Sequence, residues 1–221
     1  MASKTSALLI IFGLMPILLH ATTDCGNNLK QHQRMKFVNM HNIRRASLAK
    51  GGITKYNGNN LPVATNMYKM DNNCTLEETA AERAESCLTK TVTLPDGIVE
   101  NSATVMKPVA NKTVAIEKGV SSWWKQIRTL TENIGNLVYY RTKHAAAENF
   151  VQMAWGTTDM LGCAIGDCGT SFAIVCHYGQ SEVAYDEQIY LPASDIANIA
   201  FVCTNCPPEK PNCVDGGLCS A

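Results

Sequence analysis

What the sequence lacks narrows it first. Nineteen basic residues balance nineteen acidic ones over 221 residues, a formal net charge of +0. A polyanion partner such as nucleic acid is therefore not indicated, and no basic run marks a membrane-surface patch. No apolar run is long either. Leu8 to Leu19 falls short of the roughly 20 residues that a bilayer crossing requires. Catalytic signatures are missing: there is no Gly-x-Ser-x-Gly and no His-Glu-x-x-His, and no cysteine reads as a free nucleophile. Neither Arg-Gly-Asp nor Lys-Gly-Asp occurs, and Ile165-Gly166-Asp167 lacks the basic residue, so a disintegrin-style loop is not supported. Internal repeats and low-complexity tracts are absent.

What is present points to an exported, cross-linked domain. With 46% hydrophobic residues, the chain has enough apolar mass for one main domain and is short for two. A short basic start through Lys4 and the Leu8 to Leu19 run read as a secretory signal peptide over 1–21, with cleavage after Ala21. All ten cysteines follow that point: Cys25, Cys74, Cys87, Cys163, Cys168, Cys176, Cys203, Cys206, Cys213 and Cys219. An even count in an exported chain predicts disulfides. Cys203-x-x-Cys206 has zinc-ligand spacing, with Cys213 and Cys219 nearby. An oxidising destination favours bridges over metal there, and spacing alone does not choose the partners.

Three apolar stripes at helical spacing predict helices over 33–49, 75–88 and 113–128. The first carries Phe37, Met40, His41, Arg44 and Leu48 and stops at Gly51-Gly52. No second histidine sits one turn from His41, so it reads as a packed side chain and not as a ligand. Thr75, three residues before Glu78, has the spacing of a capping box, and Leu76, Ala80, Ala84 and Cys87 follow on one face. Ile116, Val120, Trp123 and Ile127 form the third stripe. Trp124 adjoins it, and because neighbouring tryptophans point apart on a helix, one of the two is expected to line a groove. Gly51 to Pro62 has loop composition, and 137–141 reads as a short strand or loop rim. Asn73-Cys74-Thr75 and Asn111-Lys112-Thr113 are N-glycosylation sequons, Asn111 being the better acceptor.

The most informative stretch runs from Glu148 to Tyr178. A helical pattern through Phe150, Met153, Ala154 and Trp155 gives way to alternation, in which Ala173, Val175 and His177 face opposite to Phe172, Ile174 and Cys176. A helix thus feeds a cysteine-bearing hairpin. With Phe150, Gln152, Met153, Trp155, Thr158, Leu161, Gly162 and Cys163 in order, this stretch resembles the signature His-(Phe/Tyr)-Thr-Gln-Met-Val-Trp-x-x-Thr-x-x-Leu-Gly-Cys of the CAP superfamily. That superfamily covers cysteine-rich secretory proteins, antigen 5 and plant pathogenesis-related 1 proteins. His41-Asn42-Ile43-Arg44-Arg45 looks like the family's His-Asn-x-x-Arg box. The Pro- and Gly-punctuated, cysteine-dense end resembles the hinge module of nematode venom-allergen-like, or Ancylostoma-secreted, proteins.

The resemblance implies a CAP domain over 30–190 followed by a hinge-like tail over 191–221. The implied fold is a three-layer α-β-α sandwich with a mixed central sheet. It implies the pairings Cys163 with Cys176, Cys74 with Cys168 and Cys87 with Cys203, and leaves Cys25 and the other tail cysteines open. In the family two histidines and two acidic residues converge in a cleft and in several members hold a divalent metal. Here Glu100 matches one acid, and Gln126 stands at the other, where glutamine is an accepted variant. Thr91 and Asn149 stand where the histidines belong. An amide and a hydroxyl cannot replace imidazole as base or strong zinc donor, so neither metal nor cofactor is expected. His144, five residues before Asn149, becomes a ligand only if the motif register slips.

Function follows as an expectation from the same resemblance. Relatives of this kind are released by parasitic nematodes into a host. Some bind receptors such as leukocyte or platelet integrins, and others carry sterols or fatty acids. The chain is read as a secreted, non-enzymatic effector that binds a host protein or cell-surface receptor. A lipid carrier is the alternative, and a metal-dependent hydrolase stands third.

Overall fold

A computed structural model describes residues 25–26, 29–179 and 183–221. The expected signal peptide lies outside the described residues. Four α-helices and six strands follow in the order α1 (Gln31–Ala49), β1 (Asp71–Asn72), α2 (Cys74–Glu85), β2 (Ile98–Met106), α3 (Lys112–Thr129), α4 (Glu148–Ala154), β3 (Met160–Asp167), β4 (Ser171–Gly179), β5 (Asn212–Val214) and β6 (Leu218–Ser220). A 3-10 turn over Thr142–Ala147 leads into α4. The central sheet has strand order β1-β3-β4-β2, with β1 parallel to β3 and the other pairs antiparallel. This is the mixed-sheet α-β-α sandwich that the resemblance implied.

Strand alternation assigns the two faces. Leu161, Cys163 and Ile165 of β3 and Phe172, Ile174, Cys176 and Tyr178 of β4 join α1, α3 and α4 in the large core. The other face is nearly bare and takes α2 alone. Ala80 and Ala84 meet Ala164 and Val175 there, and two β3 glycines set the distance. A Cβ on Gly162 would lie 2.0 Å from the Glu77 backbone nitrogen, and one on Gly166 2.0 Å from the Ala84 carbonyl oxygen. The Leu-Gly-Cys of the signature is therefore a steric requirement, since any side chain there would push α2 off the sheet. A buried ion pair fixes the start of α2. Glu77 accepts from Arg34 Nε and Nη2 of α1, each at 2.6 Å, and from Asn72 Nδ2 at 2.9 Å.

The sequence reading needs two local corrections, at the cap of α2 and at the tryptophans of α3, and the structure decides between the two readings of 137–141. The N-cap of α2 is Asn73, whose side chain accepts from the Leu76 amide at 3.0 Å. Thr75 already lies in the first turn, so no Thr75–Glu78 capping box forms. Both tryptophans of α3 are buried and neither lines a groove. Trp123 Nε1 donates to the Ser102 carbonyl at 3.1 Å, while Trp124 packs on Phe150 of α4 with ring centroids 4.9 Å apart. Adjacent residues do point apart, but α3 has packed elements on both sides. The 137–141 stretch is a loop rim, pinned by an isolated bridge between Tyr139 and Gln188.

All ten cysteines are paired, as Cys25–Cys74, Cys87–Cys168, Cys163–Cys176, Cys203–Cys213 and Cys206–Cys219. The hairpin bridge Cys163–Cys176 matches the expectation, and these residues are direct cross-strand partners. Cys74–Cys168 and Cys87–Cys203 are overturned. α2 runs along β3 in the same direction, so its start meets Gly162 and its end meets Gly166. Cys168, just past β3, therefore sits by Cys87, and Cys74 is a helix length away, about 18 Å at 1.5 Å per residue. Cys203 lies in the tail, next to the 65–69 stretch: the nearby Asn205 amide donates to the Thr65 carbonyl at 3.0 Å. The tail is docked on the domain, with Leu218 and Cys219 fully buried.

Candidate functional site

The site is best built outward from α1, whose His41–Arg45 box faces inward. His41 is fully buried. Its Nδ1 lies 2.8 Å from the Phe37 carbonyl, which only accepts, so Nδ1 carries the proton and Nε2 is the acceptor. Tyr178 on β4 donates its hydroxyl to Nε2 at 2.9 Å. Asn101 Nδ2 on β2 then donates to the Tyr178 oxygen and to the Asn149 carbonyl, each at 3.0 Å. One file of hydrogen bonds thus runs from α1 across β4 and β2 to α4. Burial, aided by the charges of Arg44 and Arg45, outweighs the Phe37 carbonyl and lowers the His41 pKa to about 4. His41 is neutral at physiological pH.

The rest of the box is equally structural. Asn42 pairs with both backbone groups of Met70, at 2.8 and 2.9 Å. Arg45 is fully buried and its guanidinium donates to the carbonyls of Tyr68, Met153, Trp155, Gly156 and Thr158 at 2.7 to 3.1 Å. Several of these are orphan carbonyls at the C-terminus of α4, where a cation also meets the negative end of the helix dipole. Burial depresses Arg45 to about 9, which leaves it charged at neutral pH.

The four cleft positions do not form one donor set. Thr91 is exposed in the loop between α2 and β2. Gln126 turns its Oε1 to the Phe150 amide at 3.1 Å and so caps the first turn of α4. Asn149 contributes its backbone carbonyl to Asn101. Glu100 and Asn101 alternate on β2, so Glu100 faces the α2 side while Asn101 faces α4. The Glu100 carboxylate meets His177 Nε2 at 3.1 Å and Arg83 Nε at 3.4 Å. Partial burial works against its charge, but the His177 bond and Arg83 together outweigh it and hold Glu100 below the usual carboxylate range. His144 is buried and accepts the Arg141 amide at 3.1 Å on Nδ1, closing the turn before α4. Burial lowers its pKa.

His177 is the residue that the sequence reading missed as a partner. It lies directly opposite Glu100 in the β2–β4 register, fully buried, with Nδ1 2.7 Å from the Thr79 hydroxyl of α2. Alternation had placed His177 on the face of Ala173 and Val175. The missing signal was the pairing of β4 with β2, which spans 77 residues of sequence. A hydroxyl, an imidazole and a carboxylate in file is the order that nucleophilic catalysis uses, but here the imidazole is fully buried and its two bonds tie α2 to β2.

A divalent metal does not fit here. The family positions offer one carboxylate, already engaged, with an amide that caps a helix and an exposed hydroxyl. Zinc requires about four strong donors. Among the described residues, the one group of three or more potential metal ligands that come close enough is Cys203, Cys206 and Cys219, and all three are consumed in disulfides.

Comparison with known proteins agrees with this architecture. Ancylostoma secreted protein of Ancylostoma caninum is 29% identical over 215 residues, 93% of this chain and 49% of that protein. The chain thus spans about half the length of that relative. Hookworm platelet inhibitor 1, also of Ancylostoma caninum, is 30% identical over 162 residues, 73% of this chain and 70% of that protein. Among solved structures, NaASP2 with Zn2+ superposes with a TM-score of 0.72 at 27% identity, covering 88% of this chain and 98% of that one. BmVAL-1 also gives 0.72, at 26% identity, covering 89% and 97%. The model of the cysteine-rich secretory protein family, CAP, matches residues 38–178, from inside α1 to Tyr178 of the hydrogen-bond file, and the chain belongs to that family.

Proposed function

We propose that this chain is an exported, non-enzymatic CAP protein that acts by binding a host protein or cell-surface receptor. The observation that carries the reading is the fate of the cleft groups. Glu100 is held by His177 and Arg83, Gln126 caps α4, and Asn149 offers its backbone to Asn101. Each holds elements together, which leaves recognition to the surface. The relation to a protein named hookworm platelet inhibitor supports a host target of that kind. No helix among the described residues is long and apolar enough to cross a membrane, in keeping with release.

The test is binding of the oxidised chain, immobilised through an added terminal tag, to platelets and leukocytes. Saturable binding is expected. Absence of saturable binding, or turnover of ester or peptide substrates by the purified chain, would refute the proposal. A second reading, an apolar-ligand carrier, draws on a groove of about 630 Å³ beside α1, lined in part by Met35, Val38 and Ile43. Solvent extraction of the purified chain that yields a bound sterol or fatty acid would favour it.

A further inference from the structure

The tail bridges are interlocked, first to third and second to fourth: Cys203–Cys213 and Cys206–Cys219. They cross-link the segment around 203–206 to the β5–β6 hairpin. The Sγ atoms of Cys203, Cys206 and Cys219 all lie within 4.8 Å of one another, so two separate disulfides almost touch. The alternative partners are already neighbours. The Cys206 amide donates to the Cys203 carbonyl at 3.3 Å, which makes the two cysteines the ends of one turn. Cys213 and Cys219 are direct antiparallel partners, and such pairs stand at about 4.5 to 5.5 Å between Cα atoms, within the range that a disulfide spans. Cys213 is exposed, whereas Cys219 is fully buried.

We propose that the tail is a thiol-operated latch, in which a small external thiol converts the interlocked bridges into the local pairs Cys203–Cys206 and Cys213–Cys219. The external thiolate attacks Cys213, forming a mixed disulfide and releasing Cys203 as thiolate. Cys203 attacks Cys206, within 4.8 Å, forming the first local bridge and expelling Cys219. The Cys219 thiolate attacks Cys213 across the hairpin, forming the second bridge and returning the external thiolate. Each step breaks one S–S bond and forms one, with no net oxidation. Cys206, at the surface of the pair, is the target that leaves the buried Cys219 as leaving group.

The two pairings differ in what they join. The native one fastens the hairpin covalently to the 203–206 turn, while the isomer fastens each piece only to itself. Without the cross-link the hairpin is left to non-covalent contacts, among them the Cys219 amide on the Met67 carbonyl at 2.7 Å, the Lys69 amide on the Cys219 carbonyl at 2.9 Å, and the Lys69–Asp215 ion pair, and these open more readily. Glu209 is exposed between the two halves, so cleavage after it distinguishes the states.

The experiment treats the oxidised full chain with catalytic reduced glutathione, quenches in acid, cleaves after Glu209 and maps bridges by mass spectrometry without reduction. The expected result is separation of the two halves with every cysteine still bridged, together with lost hydrogen-exchange protection at the Cys219 and Lys69 amides before cleavage. The double variant Cys203→Ser with Cys213→Ser keeps Cys206–Cys219 and should stay linked. Halves that remain joined, whether by both native bridges or by Cys206–Cys219 alone with glutathione on Cys213, would overturn the proposal. So would a product bridged Cys203–Cys219 and Cys206–Cys213, or separation of the double variant.

Discussion

His41 makes the stability of this domain depend on pH in a defined window. Folded, its pKa is about 4 against an ordinary 6.5. Burial, with Arg44 and Arg45 beside the ring, keeps His41 neutral against the pull of the Phe37 carbonyl, so below pH 6.5 the unfolded chain takes up a proton that the folded chain refuses. The contribution is complete above about pH 6.5 and is lost as pH falls towards 4, totalling about 3 kcal/mol at 1.36 kcal/mol per pKa unit. At pH 5 linkage places the loss at about 2 kcal/mol. Urea unfolding of the oxidised protein at pH 7 and pH 5 should show that drop. His144, lowered in the same direction by burial, adds to it, so the His41 share is isolated as the difference from His41→Asn. The variant should be weaker at pH 7 yet lose about 2 kcal/mol less between the two pH values. The Hε1 resonance of His41 should not move down to pH 5. A resonance titrating near 6.5, or an unchanged pH slope in the variant, would refute the tautomer and burial argument.

Arg45→Met should cost about 4 kcal/mol or more, because the Tyr68, Met153 and Thr158 carbonyls lose their donor together while those of Trp155 and Gly156 keep a backbone amide, and Arg45→Lys should rescue only part of it; chemical denaturation measures both. Gly162→Ala, which sets a methyl against the α2 backbone, should cost at least about 3 kcal/mol, whereas Gly58→Ala in an open loop should cost only its positive-φ strain; thermal midpoints of the pair check this. Glu77→Gln removes the carboxylate opposite Arg34 in a site without solvent and should destabilise by about 3 to 5 kcal/mol, with Glu117→Gln at the surface changing stability by less than about 1 kcal/mol.

Local periodicity was legible in the sequence because it depends on neighbours. The stripes at 33–49, 75–88 and 113–128 became α1, α2 and α3 with no end moved by more than three residues. The hairpin followed from alternation over a short span, and its Cys163–Cys176 bridge from the family resemblance. Long-range pairings were not legible. Which cysteine meets Cys87 depends on α2 lying in the same direction as β3, and no spacing encodes that direction. The His177–Glu100 contact required β2 beside β4, and residues 98–106 show no strong alternation to announce a strand. Asn73 outcompeted Thr75 as cap because the chain leaves the sheet at Asn72, two residues earlier than the capping-box spacing implied. Cleft degeneracy was readable residue by residue, but the structural duties that Gln126 and Asn149 took on were not.

The sandwich is lopsided in thickness. On one side a single helix rests on glycine and alanine with no slack, and on the other three helices share bulky side chains with the sheet. Room for a guest molecule can therefore open on one side only. Adding volume under α2 at Gly162, Gly166 or Ala164 should eject a whole layer. Shaving volume opposite it, at Ile174 or Phe150, should leave a void that the thicker side can shelter. A carrier evolved from this scaffold would hollow out the three-helix side, and the thin side would change only at its exposed surface.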